Sequence, residues 1–139
     1  MKLYLDACIW IDFFDPARES HTKAKELFEW AETNKCLIIV SKVHLREMRA
    51  TGNFYNFVRA KDDLFRKGMC CGVSYSEEDF QIAMRHNERF QMGHSDCLHL
   101  VIARKEKAKP ISSDLHWKEI GSAFGTRVYD YEDYMEAKA

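Results

Sequence analysis

Proline and glycine are scarce. Two prolines and six glycines in 139 residues leave little room for long unstructured stretches. Long apolar runs are missing as well: none approaches the length needed to cross a bilayer. Asp6 interrupts the N-terminus before the apolar stretch of a signal peptide could form, so the expected setting is the cytoplasm. Neither sign of charge dominates, with 21 Lys and Arg against 22 Asp and Glu, which argues against a nucleic-acid binder that works by bulk charge. The five cysteines (Cys8, Cys36, Cys70, Cys71, Cys97) are odd in number and lack paired zinc-ligand spacing; reduced, mostly buried thiols are expected, with a Cys97, His94 and His99 cluster as the weaker alternative. No phosphate-binding glycine-rich loop occurs, and His44 and Glu47 stand three apart rather than in a zinc-protease pair of histidines around a glutamate. A dehalogenase-type phosphatase would need a second Asp two places after the first, and Cys8 stands there.

What is present fits one domain over residues 1–139, with 46% hydrophobic residues available for a core. Residues 2–8 read as a buried strand. Ala24, Leu27, Phe28 and Ala31 recur at helical spacing within residues 20–32. Leu37-Ile38-Ile39-Val40 is a short β-branched run expected in a sheet core. Ser41 is placed to cap a helix through Met48, and residues 54–65 form a second helix. Residues 69–75 are a further strand, Ser76 opens a helix toward Phe90, and Ser95 is placed to cap a helix built on Leu98, Val101 and Ile102. Residues 111–113 and 127–129 complete the strands, and a frayed tail follows Tyr134. The alternation predicts an α/β fold with a doubly wound sheet of about four to five mainly parallel strands flanked by helices.

In such a sheet, ligands gather outside the carboxyl ends of the strands. Asp6 and Asp114 fall at or just past strand ends, Glu47 on the helix after a strand, and Asp96 at a helix start, where the dipole favours an anion. Taken alone, each acid reads as a cap or a surface charge. Together, all four land at one edge of the predicted sheet. Converging carboxylates repel unless a cation neutralises them, and hard oxygen donors suit Mg²⁺ or Mn²⁺. That chemistry points to metal-assisted attack on a phosphate substrate. Residues 42–67 carry seven basic against three acidic residues. They read either as a solvated helix surface or as a phosphate-binding rim beside the acids. Arg46 and Arg49, flanking Glu47, are the candidate phosphate anchors. Phe54, Tyr55 and Phe57 could stack on bases, but their spacing favours packing within the domain. His94, His99 and His116 read as structural rather than as bases.

The segments that carry the acids resemble the motifs of PIN-domain nucleases. Leu5-Asp6-Ala7-Cys8-Ile9-Trp10-Ile11-Asp12 resembles that family's opening strand. Val43-His44-Leu45-Arg46-Glu47 is similar to the segment of its second acid, Ser95-Asp96-Cys97-Leu98-His99 to that of its third, and Ile111-Ser112-Ser113-Asp114 to its fourth motif. The resemblance covers nearly the whole chain. It implies that Asp6, Glu47 and Asp96 bind Mg²⁺ or Mn²⁺, that Asp114 completes the acidic pocket, and that the Ser112 hydroxyl supports it. It implies an endoribonuclease that hydrolyses RNA phosphodiesters, or alternatively a catalytically weak RNA-binding or assembly module. Small single-domain members are commonly toxins of toxin–antitoxin pairs, so a homodimer and an antitoxin partner are implied too. Cys8 departs from the pattern, which often has Asn, Ser or Thr there; a thiol is a poor hydrogen-bond partner beside a hard cation.

Overall fold

The computed structural model describes residues 1–90 and 93–138, without the side chains at positions 90, 94 and 135–138. Strands β1 (Lys2–Leu5), β2 (Leu37–Ser41), β3 (Cys70–Val73) and β4 (Lys109–Ile111) form one sheet in the order β3-β2-β1-β4. Every neighbouring pair is parallel, so each connection must cross over. Helices α1 (Ala7–Phe14) and α2 (His21–Thr33) make the first crossover. Helices α3 (Lys42–Ala50) and α4 (Phe54–Arg66) make the second, and α5 (Glu77–Phe90) and α6 (His94–Lys105) the third. Helices α7 (Leu115–Phe124) and α8 (Tyr131–Lys138) follow the last strand. The chain first steps outward from β1 to β3, then returns to the other side of β1. The switch point therefore lies between β1 and β4, where an open α/β sheet offers a crevice at its carboxyl edge.

The period-two alternation of the strands divides the interior into two cores. Leu3, Leu5, Ile38 and Val40 join Ile9, Trp10, Phe28 and Phe57 on one face. Tyr4 and Ile39 join Leu98, Val101, Trp117 and Ile120 on the other. The apolar stripe expected on α2 is real: Ala24, Leu27, Phe28 and Ala31 are all buried. Ser76 opens α5 as expected, in a reciprocal cap in which its N–H donates to Asp79 Oδ2 (2.8 Å) and the Asp79 N–H donates to Ser76 Oγ (3.1 Å). Phe57 is a core residue, as its spacing implied, whereas Tyr55 is exposed.

Several boundaries differ from the sequence expectation. The first strand ends at Leu5, not at residue 8, because Asp6 leaves the strand as the N-cap residue of α1. The run after it is apolar enough to resemble strand, but Ile9 and Trp10 are buried from a helix that packs closely on α2. Gly93, with φ 84°, precedes α6 in place of the expected Ser95 cap, a left-handed conformation that glycine adopts without a Cβ clash. Residues 127–129 do not form a strand; Tyr129 alone bridges β4, donating its N–H to Pro110 O and accepting from the Ser112 N–H, both at 2.9 Å. The C-terminal segment is helical to Lys138 rather than frayed from Tyr134. Tyr131 pins it, donating its O–H to Asp12 Oδ2 at 2.8 Å, while Arg18 Nε donates to Asp12 Oδ1 at 3.0 Å. Among the described residues no helix is long and apolar enough to cross a membrane.

Candidate active site

Asp6 caps the carboxyl end of β1, and its N–H donates to Ile111 O of β4 at 2.9 Å, which fixes it at the switch point. Asp114 is the N-cap of α7, just past β4. Glu47 lies on α3, which springs directly from β2, and Asp96 lies in the first turn of α6. The four carboxylates act on one another. Burial raises the Asp6 pKa to about 6, with the Glu47 and Asp96 charges adding to the rise and hydrogen bonds from Ser112 and Cys8 opposing it. Burial likewise raises Asp96, helped by Glu47 and Asp114 and opposed by the hydrogen bond from Trp117. Glu47 is raised by burial and lowered in part by His44 and Arg46.

Each acid is held by one oxygen. Ser112 Oγ donates to Asp6 Oδ2 at 2.6 Å, and Trp117 Nε1 donates to Asp96 Oδ1 at 3.1 Å. The His116 N–H donates to Asp114 Oδ1 at 2.9 Å, and His99 Nε2 contacts Glu47 Oε1. Ser112, Trp117 and His99 are fully buried, so these carboxylates lean on a rigid shell. The second oxygens, Asp6 Oδ1, Glu47 Oε2, Asp96 Oδ2 and Asp114 Oδ2, have no hydrogen-bond partner among the described residues. Mutually repelling, partly desolvated carboxylates with spare oxygens are the donor chemistry a hard divalent cation requires. They are neighbours rather than a closed cage: among the described residues, no three His, Cys, Asp or Glu side chains are grouped closely enough to hold an ion.

Ser112 thus supports Asp6, and its Oγ also accepts the Asp114 N–H at 2.9 Å, coupling the first and fourth acids. Cys8 is bonded into the site. Its Sγ donates to Asp6 Oδ2 at 3.3 Å and lies 3.4 Å from Ser113 Oγ. Burial above all, and then the Asp6 charge, push its pKa up to about 12, so it stays a protonated donor. All five cysteines are free, and Cys36, Cys70 and Cys97 are buried. The side chain of His94 lies outside the described residues.

Arg46 and Arg49 sit on the exposed side of α3. Together with Lys42, Leu45 and Tyr75 they line a groove of about 340 Å³. Arg46 donates to Tyr75 Oη at 2.9 Å, and the Arg49 guanidinium lies 4.4 Å from the centre of the Phe54 ring. Both cations are therefore braced within the chain as well as facing the groove.

Apart from Ser112, the sequence reading missed the shell behind the acids. His44 is wholly buried; its Nδ1 accepts the Ser41 N–H at 3.1 Å and its Nε2 donates to Leu5 O at 2.6 Å. This neutral ring ties the head of α3 to the last residue of β1, and so sets Glu47 relative to Asp6. Burial above all pushes the His44 pKa down to about 3. His99 is no isolated structural histidine, since it touches Glu47 directly. The sequence signal for these two was a polar residue at a buried position, His44 in α3 and His99 in α6.

The PIN domain family profile matches residues 3–123. Among curated proteins, no relative matches the sequence. Among solved structures, VapBC2 from Rickettsia felis, bound to a DNA fragment from its promoter, is similar with a TM-score of 0.68 at 15% identity, over 94% of this chain and 98% of that one. VapC20 from Mycobacterium tuberculosis, a sarcin-ricin loop cleaving toxin, also has a TM-score of 0.68, at 14% identity, over 86% and 95%. FitAcB from Neisseria gonorrhoeae has a TM-score of 0.62 at 11% identity, over 94% and 98%. At such identities the likeness is one of fold, and it agrees with the parallel four-stranded sheet flanked by helices. On the match across most of its length, the chain belongs to the PIN domain family.

Proposed function

We propose that this chain is a single-domain endoribonuclease that hydrolyses RNA phosphodiesters with Mg²⁺ or Mn²⁺. Asp6, Glu47 and Asp96 would hold the cation and Asp114 would complete the pocket. The observation that carries this reading is the set of four carboxylates, each anchored through one oxygen to a donor, each presenting the other, and coupled through their charges. When bound, the cation would make water available as a nucleophile near neutral pH and screen charge at phosphorus. The rest falls to the chain. Ser112, His99 and Trp117 hold the carboxylates in place, and the protonated Cys8 thiol satisfies Asp6 without adding charge. Lys42, Arg46 and Arg49, on the helix that carries Glu47, offer a track for the phosphates flanking the scissile bond.

The structural neighbours favour a toxin of a toxin–antitoxin pair within this reading. VapC20 is a cleaving toxin, and a toxin–antitoxin complex from Klebsiella pneumoniae shares the fold with a TM-score of 0.58 at 17% identity. The proposal therefore includes a homodimer, an antitoxin partner and action in the cytoplasm. Incubation with single-stranded RNA tests the chemistry. We expect cleavage in Mn²⁺, none in EDTA, and a loss of about a hundredfold or more in Glu47→Gln, since a ligand and its charge both disappear. Cleavage that persists in EDTA would remove the cation from the mechanism.

A further inference from the structure

Behind Glu47 runs a polar chain that hydrolysis at the acidic pocket does not itself use. Tyr4, in the middle of β1, turns away from Leu3 and Leu5 into the core beneath α6 and α7. Its Oη lies 2.9 Å from Ser41 Oγ and 2.5 Å from His99 Nδ1. His99 Nε2 meets Glu47 Oε1. Tyr4 and His99 are fully buried and Ser41 nearly so. The His99 ring is walled by His44 and Trp117, with ring centres 4.7 and 5.4 Å away. These four residues come from four elements: β1, the end of β2, α3 and α6.

Counting protons gives the chain one direction. An ionised carboxylate only accepts, so Nε2 must carry the imidazole proton that faces Glu47. Nδ1 of the neutral ring must then accept, and Tyr4 must spend its single O–H on it. The Tyr4 oxygen is left to accept from Ser41 Oγ. Tyr4 is fully buried, and a buried phenol keeps its O–H at neutral pH. His99 is fully buried between the rings of His44 and Trp117, surroundings that favour the uncharged ring.

We infer that Tyr4 and His99 are positioning residues for Glu47. The Tyr4 O–H fixes His99 as the Nε2–H tautomer, and that N–H holds Glu47 Oε1 so that Oε2 faces the pocket. The inference rests on the reading of Glu47 as a cation ligand. Without the Tyr4 hydroxyl, the ring is free to move its proton to Nδ1 and turn a lone pair toward the carboxylate. The same contacts tie Glu47 on α3 to His99 one turn beyond Asp96 on α6, so the alignment of two acids passes through one ring.

Long-range ¹H–¹⁵N correlation spectra of the cation-free protein near neutral pH read the tautomer without any activity. We expect a protonated Nε2 and an unprotonated Nδ1 for His99, with the pattern shifting toward Nδ1–H in Tyr4→Phe. In RNA cleavage, Tyr4→Phe should lower kcat by about 10- to 100-fold, the usual cost of removing a group that orients a metal ligand, with KM little changed. His99→Gln, whose amide can still donate to Oε1, should recover much of the rate that His99→Leu loses. An Nδ1-protonated His99 in the wild type, or a Tyr4→Phe variant with unaltered tautomer and kcat, would overturn the inference while leaving the nuclease reading intact. A Glu47→Gln variant that cleaves at the wild-type rate would instead sink the reading of Glu47 itself, and the inference with it.

Discussion

Asp6→Asn should abolish cation-dependent RNA cleavage and, in the same step, raise the thermal stability of the cation-free protein. The two effects share one cause. Asp6 is 7% exposed, and burial lifts its pKa to about 6 from an ordinary value of 3.8. The folded protein thus holds a proton on Asp6 that the unfolded chain releases more readily. As pH rises from the lower value through the higher, the unfolded state ionises first and stability falls. Above about pH 6 the full penalty applies, on the order of 3 kcal/mol for a shift of this size. Asparagine keeps an oxygen to accept from Ser112 Oγ but carries no charge. The variant should melt several degrees higher than wild type in EDTA at neutral pH, and its advantage should vanish below about pH 4. Mn²⁺ should stabilise the wild type by binding the folded state, and should lose most of that effect in the variant. Calorimetric melts across this range check the expectation. A variant that melts lower than wild type in EDTA would show that Asp6 is not a strained carboxylate.

The second large effect is acid sensitivity from His44. Its ring is wholly buried, both nitrogens are engaged, and its pKa is pushed down to about 3 from 6.5, by burial above all. A depressed pKa contributes stability above the unfolded value, and that contribution is lost as pH falls from there toward the folded value. Between about pH 7 and pH 5, protonation of the unfolded chain should cost the folded state about 2 kcal/mol. Asp6 has the opposite slope over part of this window, so the wild type should show a muted decline. Asp6→Asn removes the compensation and should expose the full loss. His99, also buried and pushed down to about 3, adds a similar loss, so adding His44→Gln to that background should roughly halve the slope rather than abolish it. Denaturant titrations at intervals of pH measure the slopes directly. An Asp6→Asn profile that stays flat between neutrality and pH 5 would contradict a neutral, buried His44.

How far the site was legible in the sequence depended on how local each signal was. Strand ends and helix starts are written in short segments, so Asp6, Glu47, Asp96 and Asp114 could be placed at one sheet edge before any coordinates. The apolar stripe of α2 and the cap of α5 were legible for the same reason. Helix α1 was hidden because Ala7-Cys8-Ile9-Trp10-Ile11 is apolar on every side, which erases the helical period. Helix α7 was not anticipated, although Trp117, Ile120, Gly121 and Phe124 behind the Asp114 cap are all buried. Of the donors behind the acids, Ser112 was anticipated through the family resemblance; His99 and Tyr4 were beyond reach. Ser112 meets Asp6 across 106 positions, His99 meets Glu47 across 52, and Tyr4 meets His99 across 95. No periodicity encodes such pairs; only the tertiary fold brings them into contact. Their trace in the sequence is polar atoms where the pattern demanded apolar ones, at Tyr4 in β1 and His99 in α6.

Anomalous diffraction from crystals grown with Mn²⁺ tests most directly whether these carboxylates serve a cation. A manganese peak bonded to oxygens of Asp6, Glu47 and Asp96, with Asp114 beside it, is the expected result. A fully occupied crystal form in which manganese sits elsewhere, and the four side chains keep their second oxygens in water alone, would contradict it.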